Sequence, residues 1–276
     1  MARQSNPNFL KRAGAMIGAV ASSALVMGAA SLGLEKGGLK AGETGIVSEI
    51  VDGDTLFLDG GLKVRLSAIQ APKLPLGRKG FKKWPLADQA KNALTQIAYR
   101  KDVQLFYGGK ERDRYDRALA QTFVMGEENI WVQEEMVRRG LARVYTWPDT
   151  WQDSERLYAA EREAREARRG IWNHEYYAIR TPDPNNLAQD VDSFQIVEGI
   201  ITSVADVRGR IYLNFGADYK TDFTIAIDKS DRKRFKAAAY DPADLEGAHV
   251  RVRGWIELTN GPIIWLDHPE RLEVLY

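Results

Sequence analysis

The stretch from residue 45 to residue 69 constrains the fold most strongly. "GIVSEIVDGDTLFL" (45–58) has two β-branched, apolar runs on either side of Asp-Gly, which is typical of a β-hairpin. "GGLKVRLSAI" (60–69) then alternates apolar and polar residues, and this alternation predicts a third strand. We therefore expect the folded part of the chain to begin with three consecutive strands.

The rest of the first half adds helices and two further strands. A loop with three prolines (70–85) precedes a predicted helix (86–100) whose Ala90, Leu94 and Ile97 share one face. "KDVQLFY" and "ALAQTFVM" predict strands, whereas "NIWVQEEMVRRG" and "DSERLYAAEREAREARRG" predict helices. Residues 45–177 thus indicate a small five-stranded barrel with three flanking helices.

A second strand-rich unit is predicted over residues 195–276. Its pattern is again three strands, a short helix and two strands, which suits another five-stranded barrel of the OB type. The intervening segment, 178–194, carries two prolines and few large apolar residues, and it is typical of a linker. The predicted fold class is therefore mainly β with α (α+β), with two small barrels.

The first 36 residues follow a different pattern. Arg3, Lys11 and Arg12 precede an uncharged run from Ala13 to Leu34. A basic start followed by an apolar stretch predicts an export signal or a membrane anchor over 13–34, with a buried N-terminal helix as the alternative. Either of the first two would place the folded part outside the cytoplasm, in a periplasmic, extracellular or membrane-anchored protein.

Composition excludes several kinds of site. The formal net charge is +1, so overall charge indicates no partner. Without cysteine the chain has no disulfide and no thiolate metal site. The three histidines, His174, His249 and His268, are not spaced as a helical zinc-binding pair, which argues against a zinc site.

Several short motifs appear in a fixed order. "VDGDTL", "VRL", "APK", "DRYDRALA", "VQEEMVRRGLARVY" and "GIW" follow one another between residues 45 and 173. This ordered set resembles the thermonuclease family of staphylococcal-nuclease-like barrels. The resemblance implies a calcium ion held by two aspartates and a main-chain carbonyl, a glutamate general base, and two arginines that clamp the phosphate.

Three of the implied site positions match. Asp54 stands at the first calcium ligand, and Arg65 and Arg117 stand at the phosphate clamp, with Tyr115 close to Arg117 in the sequence. A guanidinium group suits the clamp because it can donate two parallel hydrogen bonds to a phosphate.

Three other positions depart from the family pattern. The second calcium aspartate is replaced by Gln70, and Ala71 stands where a threonine offers its carbonyl. One carboxylate fewer predicts weak or lost Ca²⁺ binding. The catalytic glutamate is replaced by Lys73, which we expect to be solvated, protonated and unable to accept a proton from water.

A local basic patch surrounds Lys73. Between residues 63 and 91 eight lysines and arginines stand against one acid, Asp88. Such a patch favours polyanions, and interspersed aromatic residues can stack on unpaired bases. The candidate nucleic-acid contacts are Lys63, Arg78, Lys79, Lys82, Lys83, Trp84 and Tyr115. The alternative is a solvated loop in which Trp84 closes the core.

The sequence therefore supports one main functional hypothesis and two alternatives. The main hypothesis is an envelope protein that binds nucleic acid or another phosphorylated polymer, with phosphodiester hydrolysis weak or lost. The alternatives are an active calcium-dependent endonuclease and a scaffold protein without a nucleic-acid ligand. In the second unit the candidate contacts are Arg210, Tyr212, Phe215 and Trp255, of which the last two suit a core equally well.

Overall fold

The computed structural model describes residues 38–275, so the predicted signal or anchor segment lies outside the described residues. Within them, no helix combines the length and the apolar character that crossing a bilayer requires.

The first unit is built around a closed five-stranded β-barrel. Strand β1 (Lys40–Asp52) is long enough to pair with both β2 (Thr55–Leu58) and β5 (Asp102–Tyr107). Strand β3 (Lys63–Leu66) continues from β2, and β6 (Ala118–Val124) continues from β5. The barrel closes where β3 and β6 pair in parallel. The predicted hairpin around Asp-Gly and the predicted third strand are confirmed.

Helices and short strands surround this barrel. They are β4 (Ile69–Gln70), α1 (Ala87–Ala98), β7 (Ile130–Trp131), α2 (Val132–Arg138), β8 (Arg143–Val144) and α3 (Ser154–Glu166). Helix α1 buries Ala90, Leu94 and Ile97 against the barrel, as the sequence predicts. Strand β4 pairs with β8 outside the main sheet. The mixed α+β class is confirmed.

The second unit repeats the same order of strand pairing. Its strands are β9 (Phe194–Ile200), β10 (Ser203–Val207), β11 (Arg210–Asn214), β12 (Thr224–Ile227), β13 (His249–Trp255), β14 (Glu257–Thr259), β15 (Gly261–Trp265) and β16 (Leu272–Leu275). The sheet order is β10-β11-β12-β15-β14, with β12 and β15 parallel, while β9 pairs with β13. β9 leads into β10, and β13 leads into β14. The β9–β13 pair therefore connects the two ends of the five-stranded sheet.

The segment predicted as a linker folds onto the second unit. Asp183 caps the short helix α4 (Pro184–Leu187) by accepting a hydrogen bond from the Asn185 N–H at 2.9 Å. Leu187 is fully buried in the second core. Burial of this one large apolar side chain anchors the segment to the second unit.

Polar contacts, two of them buried, join the two units. Arg253 of β13 is fully buried, with Nη2 at 3.0 Å from Glu161 Oε1 of α3 and 2.6 Å from Glu273 Oε1 of β16. His268 Nε2 lies 2.8 Å from Thr146 Oγ1, and the Trp255 indole donates to the Tyr145 hydroxyl at 3.0 Å.

Candidate functional site

The β1–β2 turn places Asp54 at one end of the first barrel. The turn requires glycine at position 53, because a Cβ there would lie 2.7 Å from the Cβ atoms of both Ala71 and Ala90. This close approach leaves the Asp54 side chain fully buried. Its backbone N–H donates to Asp52 Oδ1 at 3.1 Å, so two carboxylates share this end of the barrel.

Lys73 turns inward and pairs with Asp54. Its Nζ lies 2.6 Å from Asp54 Oδ1, 2.5 Å from Asp54 Oδ2 and 3.8 Å from Asp52 Oδ2. Only 19% of the Lys73 side chain is exposed. The expectation of a solvated Lys73 is therefore wrong, because two buried carboxylates attract the ammonium away from water.

The charges at this end of the barrel are coupled. Burial would raise the pKa of Asp54, but Arg65, Lys73 and the Ala71 N–H outweigh it and lower that pKa to about 2. Burial and the Asp54 charge raise the pKa of Asp52. Burial lowers the pKa of Lys73, and the ionised Asp54 opposes that effect.

Gln70 uses its side chain, and Ala71 its main chain, to make hydrogen bonds at this site. The Gln70 Oε1 accepts a hydrogen bond from Arg143 Nη2 at 2.8 Å, on the side of the second unit. The Ala71 N–H donates to Asp54 Oδ2 at 2.8 Å, so its main chain offers this carboxylate a donor. Among residues 38–275 no group of three or more His, Cys, Asp or Glu side chains that could hold a metal ion is found. The Gln70 oxygen predicted to face Ca²⁺ is thus hydrogen-bonded to Arg143, and both Asp54 oxygens accept hydrogen bonds from Lys73.

The two clamp arginines line one cavity but use their donors differently. Arg65 is buried and donates to the main-chain carbonyls of Leu66 and Ile69, with Nη2 at 3.3 Å from Asp54 Oδ2. Arg117 is more exposed and pairs with Asp113 at 2.6 Å. Both face a cavity of about 500 Å³, whose lining also includes Lys110, Arg114, Tyr115 and Trp147.

Comparison with known proteins assigns this region. A family model described as staphylococcal nuclease homologue matches residues 63–174. Residues 63–174 form a staphylococcal nuclease homologue domain. The match covers Arg65, Gln70, Lys73 and Arg117, and it begins after Asp54.

Individual relatives of the nuclease homologue domain agree with the family match. The thermonuclease of Staphylococcus hyicus is 26% identical over 131 residues, covering 46% of this chain and 75% of that protein. Endonuclease YhcR of Bacillus subtilis is 31% identical over 139 residues, or 47% of this chain and 11% of that protein. An uncharacterised endonuclease of Haemophilus influenzae is 36% identical over 103 residues, or 36% of this chain and 51% of that protein.

The basic loop of the nuclease homologue domain is only partly free. Lys79 and Lys82 are exposed and form no ion pair within the described residues, whereas Lys83 pairs with Asp88 at 2.6 Å. Arg78 folds back onto the Leu74 and Pro75 carbonyls and lies over the Phe81 ring. Lys63 of β3 lies over the Phe57 ring of β2, and none of these side chains lines the Arg65–Arg117 cavity.

Aromatic contacts hold the base of this loop. The Trp84 ring is half-buried between Phe81 and Tyr176, and the Trp84 main-chain N–H donates to the Lys73 carbonyl at 3.0 Å. The Tyr177 hydroxyl donates to the Pro85 carbonyl at 2.6 Å. Trp84 therefore closes the loop, and Tyr115, which is 65% exposed, is the aromatic side chain open to a ligand.

In the second unit the structure separates the four candidate contacts. Arg210 and Tyr212 line a cavity of about 480 Å³ on the outer face of the sheet, together with Trp265, a residue that the sequence analysis missed. Phe215 packs against the second core, and Trp255 faces the first unit. Trp265 lies in β15 on the face opposite the buried Ile264 and Leu266, so alternation along this strand was a usable signal.

Proposed function

We propose that the nuclease homologue domain binds nucleic acid or another phosphorylated polymer and hydrolyses it weakly or not at all. The observation that carries the proposal is the Lys73–Asp54 pair, at 2.5 and 2.6 Å. A lysine held by a carboxylate is a hydrogen-bond donor, so it cannot deprotonate water in place of a glutamate. Losing a positioned general base costs roughly 10²- to 10⁴-fold in rate.

Polymer binding is supported by the cavity around Arg117. Four cationic side chains, Arg65, Lys110, Arg114 and Arg117, line it against Asp113 and Asp149. The exposed Tyr115 ring beside Arg117 offers a stacking surface for a base. Cations that replace the counter-ions of a phosphate chain give binding that weakens with salt.

The test is a titration of the protein with a fluorescent single-stranded oligonucleotide at several salt concentrations. Arg117→Ala and Lys110→Ala should each weaken binding and reduce the salt slope by about one. Lys101→Ala is the matched control, because Lys101 is an exposed lysine outside the cavity. Equal effects of Lys110→Ala and Lys101→Ala would contradict this binding site.

The same protein and oligonucleotide also test the two alternative functions, the active endonuclease and the scaffold. Calcium-dependent cleavage that disappears in Asp54→Ala would support the active endonuclease. Absence of both binding and cleavage would support the scaffold. Binding without cleavage is the result that we expect.

We also propose an extracytoplasmic location. The proposal rests on Arg3, Lys11 and Arg12 followed by the uncharged run 13–34, which suits an export signal or a membrane anchor. Fractionation of cells that produce the full chain, with and without residues 1–36, tests it. A wild-type protein found in the cytoplasmic fraction would contradict it.

A further inference from the structure

The site that the family resemblance assigns to calcium already contains equal numbers of acidic and basic side chains. Asp52 and Asp54 supply two carboxylates. Lys73 contacts both, and Arg65 lies 3.3 Å from Asp54. Two anions thus face two cations in a buried cluster. A divalent ion added to this cluster would leave two positive charges uncompensated, and such burial of charge is costly.

The geometry leaves no carboxylate oxygen of Asp54 free. The Lys73 ammonium bridges both oxygens, and the Ala71 N–H donates to one of them. Calcium takes six to eight oxygen ligands and prefers charged carboxylates among them. The ammonium stands where such an ion would have to approach Asp54.

A second cation, the Arg143 guanidinium, binds Gln70, which stands at the second calcium-ligand position of the family pattern. Arg143 is buried between the rings of Tyr177 and Phe194, and it donates to the Gln70 Oε1. Phe194 belongs to the second unit, so the end of β4 is fixed from outside the barrel. The Gln70 side-chain oxygen, the one atom of this side chain that could bind a metal ion, therefore accepts a hydrogen bond from Arg143 instead.

We propose that the Lys73 ammonium is the resident cation of this site, in place of a divalent metal ion. Lys73 is then a positioning residue: it balances Asp52 and Asp54 and holds the β1–β2 turn against the loop that follows β4. Its removal should open a divalent-cation site formed by the two aspartates. A further consequence, which rests on the proposed function, is that polymer binding requires no divalent ion.

The first test measures binding of Ca²⁺, and of Tb³⁺ as a luminescent probe, by the folded protein. Wild type should show no saturable binding and no calcium-induced shift of Tm. Lys73→Ala and Lys73→Gln should gain saturable binding of the ion and should show a higher Tm when calcium is added. Lys73→Arg should behave as wild type because it keeps the charge.

Lys82→Ala is the control variant, because Lys82 is an exposed lysine in the same loop. Two results would overturn the proposal. One is equally tight calcium binding by wild type and by Lys73→Ala, and the other is no calcium binding by any of the folded Lys73 variants. If Lys73→Ala does not fold, Lys73→Gln, which keeps most of the side-chain length, decides the question.

The second test compares oligonucleotide binding by wild type in EDTA and in millimolar calcium. The two affinities should agree within twofold. A strong calcium requirement would overturn the resident-cation proposal. If wild type binds no oligonucleotide at all, the proposed function fails, whereas the ion titration of the Lys73 variants still decides the role of Lys73.

Discussion

At the scale of single residues, the side chains of Lys73 and Gln70 carry most of the consequences. The sequence places both at family positions, and the resemblance is confirmed for residues 63–174. Where these side chains turn depends on partners that are distant in sequence, Asp54 for Lys73 and Arg143 for Gln70. A lysine among other lysines in a loop predicts a solvated side chain. The buried Asp54 carboxylate that pairs with Lys73 is brought close only by the tertiary structure.

One prediction concerns Gln70 and Arg143. Arg143 is buried without a carboxylate partner among the described residues, and burial lowers its pKa to about 10. Gln70→Glu keeps the shape and adds a charge 2.8 Å from Arg143. We expect this change to increase the free energy of unfolding by about 1 kcal/mol, because the buried guanidinium would donate to a carboxylate instead of a neutral amide oxygen.

Thermal unfolding of Gln70→Glu checks this expectation, with the exposed Gln189→Glu as the control. The control should change stability by less than about 0.5 kcal/mol. A lower Tm for Gln70→Glu than for the control would show that Arg143 does not accept the added charge.

A second prediction concerns acid. The pKa of Asp54 is lowered from its ordinary value to about 2 in the folded state. Its stabilising contribution is therefore complete above the unfolded pKa of about 4 and is lost as pH falls toward 2. We expect wild type to lose about 2 kcal/mol of unfolding free energy from this group over that range.

The measurement is urea unfolding at pH 5, 4, 3 and 2 for wild type and for Asp54→Asn/Lys73→Met. The double variant removes both charges together, so it should be less sensitive to acid over this range. Parallel pH profiles for the two proteins would assign the acid sensitivity to other carboxylates, such as Asp267, whose pKa is also lowered to about 2.

At the scale of elements, helix α3 shows how a pattern can be right about structure and incomplete about role. The alternating charges of residues 161–169 predict a helix with ion pairs four residues apart, and the Glu161–Arg165 contact at 3.8 Å fits this. Glu161 is nonetheless buried, accepting from the Val144 N–H at 2.7 Å and pairing with Arg253. Its principal partner lies in the second unit, which no local pattern shows.

A third prediction compares two glutamates of α3. Glu161→Gln should destabilise the protein by about 3 kcal/mol, because the buried Arg253 would lose one of its two carboxylate partners. Glu163→Gln lies on the exposed face of the same helix and should cost less than about 1 kcal/mol. Denaturant unfolding of both variants is the measurement, and equal losses would contradict the assigned role of Glu161.

At the scale of the whole molecule, the sequence predicts two barrels but leaves their relation undetermined. Both units pair their strands in one order, and each contains one parallel pair, β3 with β6 in the first and β12 with β15 in the second. The sequence shows no residue-level repeat, so this likeness emerges only from the pairing. The contact between the units depends on Arg253, Trp255 and His268, whose partners lie more than 90 residues away.

A fourth prediction follows from this contact. A fragment of residues 38–177 should unfold at a lower temperature than residues 38–275, because truncation exposes Tyr158 and Glu161 and removes Arg253. Melting of both proteins, followed by circular dichroism, tests this. Equal Tm values would mean that the second unit does not stabilise the first.

The aromatic contacts at the base of the Lys73 loop also bear on mechanics. Tyr176 and Tyr177 touch Trp84 and Pro85, and they begin the path of the chain toward the second barrel. A twist of one barrel against the other would therefore pull on Pro85 and Trp84, and through Trp84 on the Lys73 backbone. An unbroken set of contacts through two tyrosine rings thus joins the loop of the buried ammonium to the junction between the two halves of the chain.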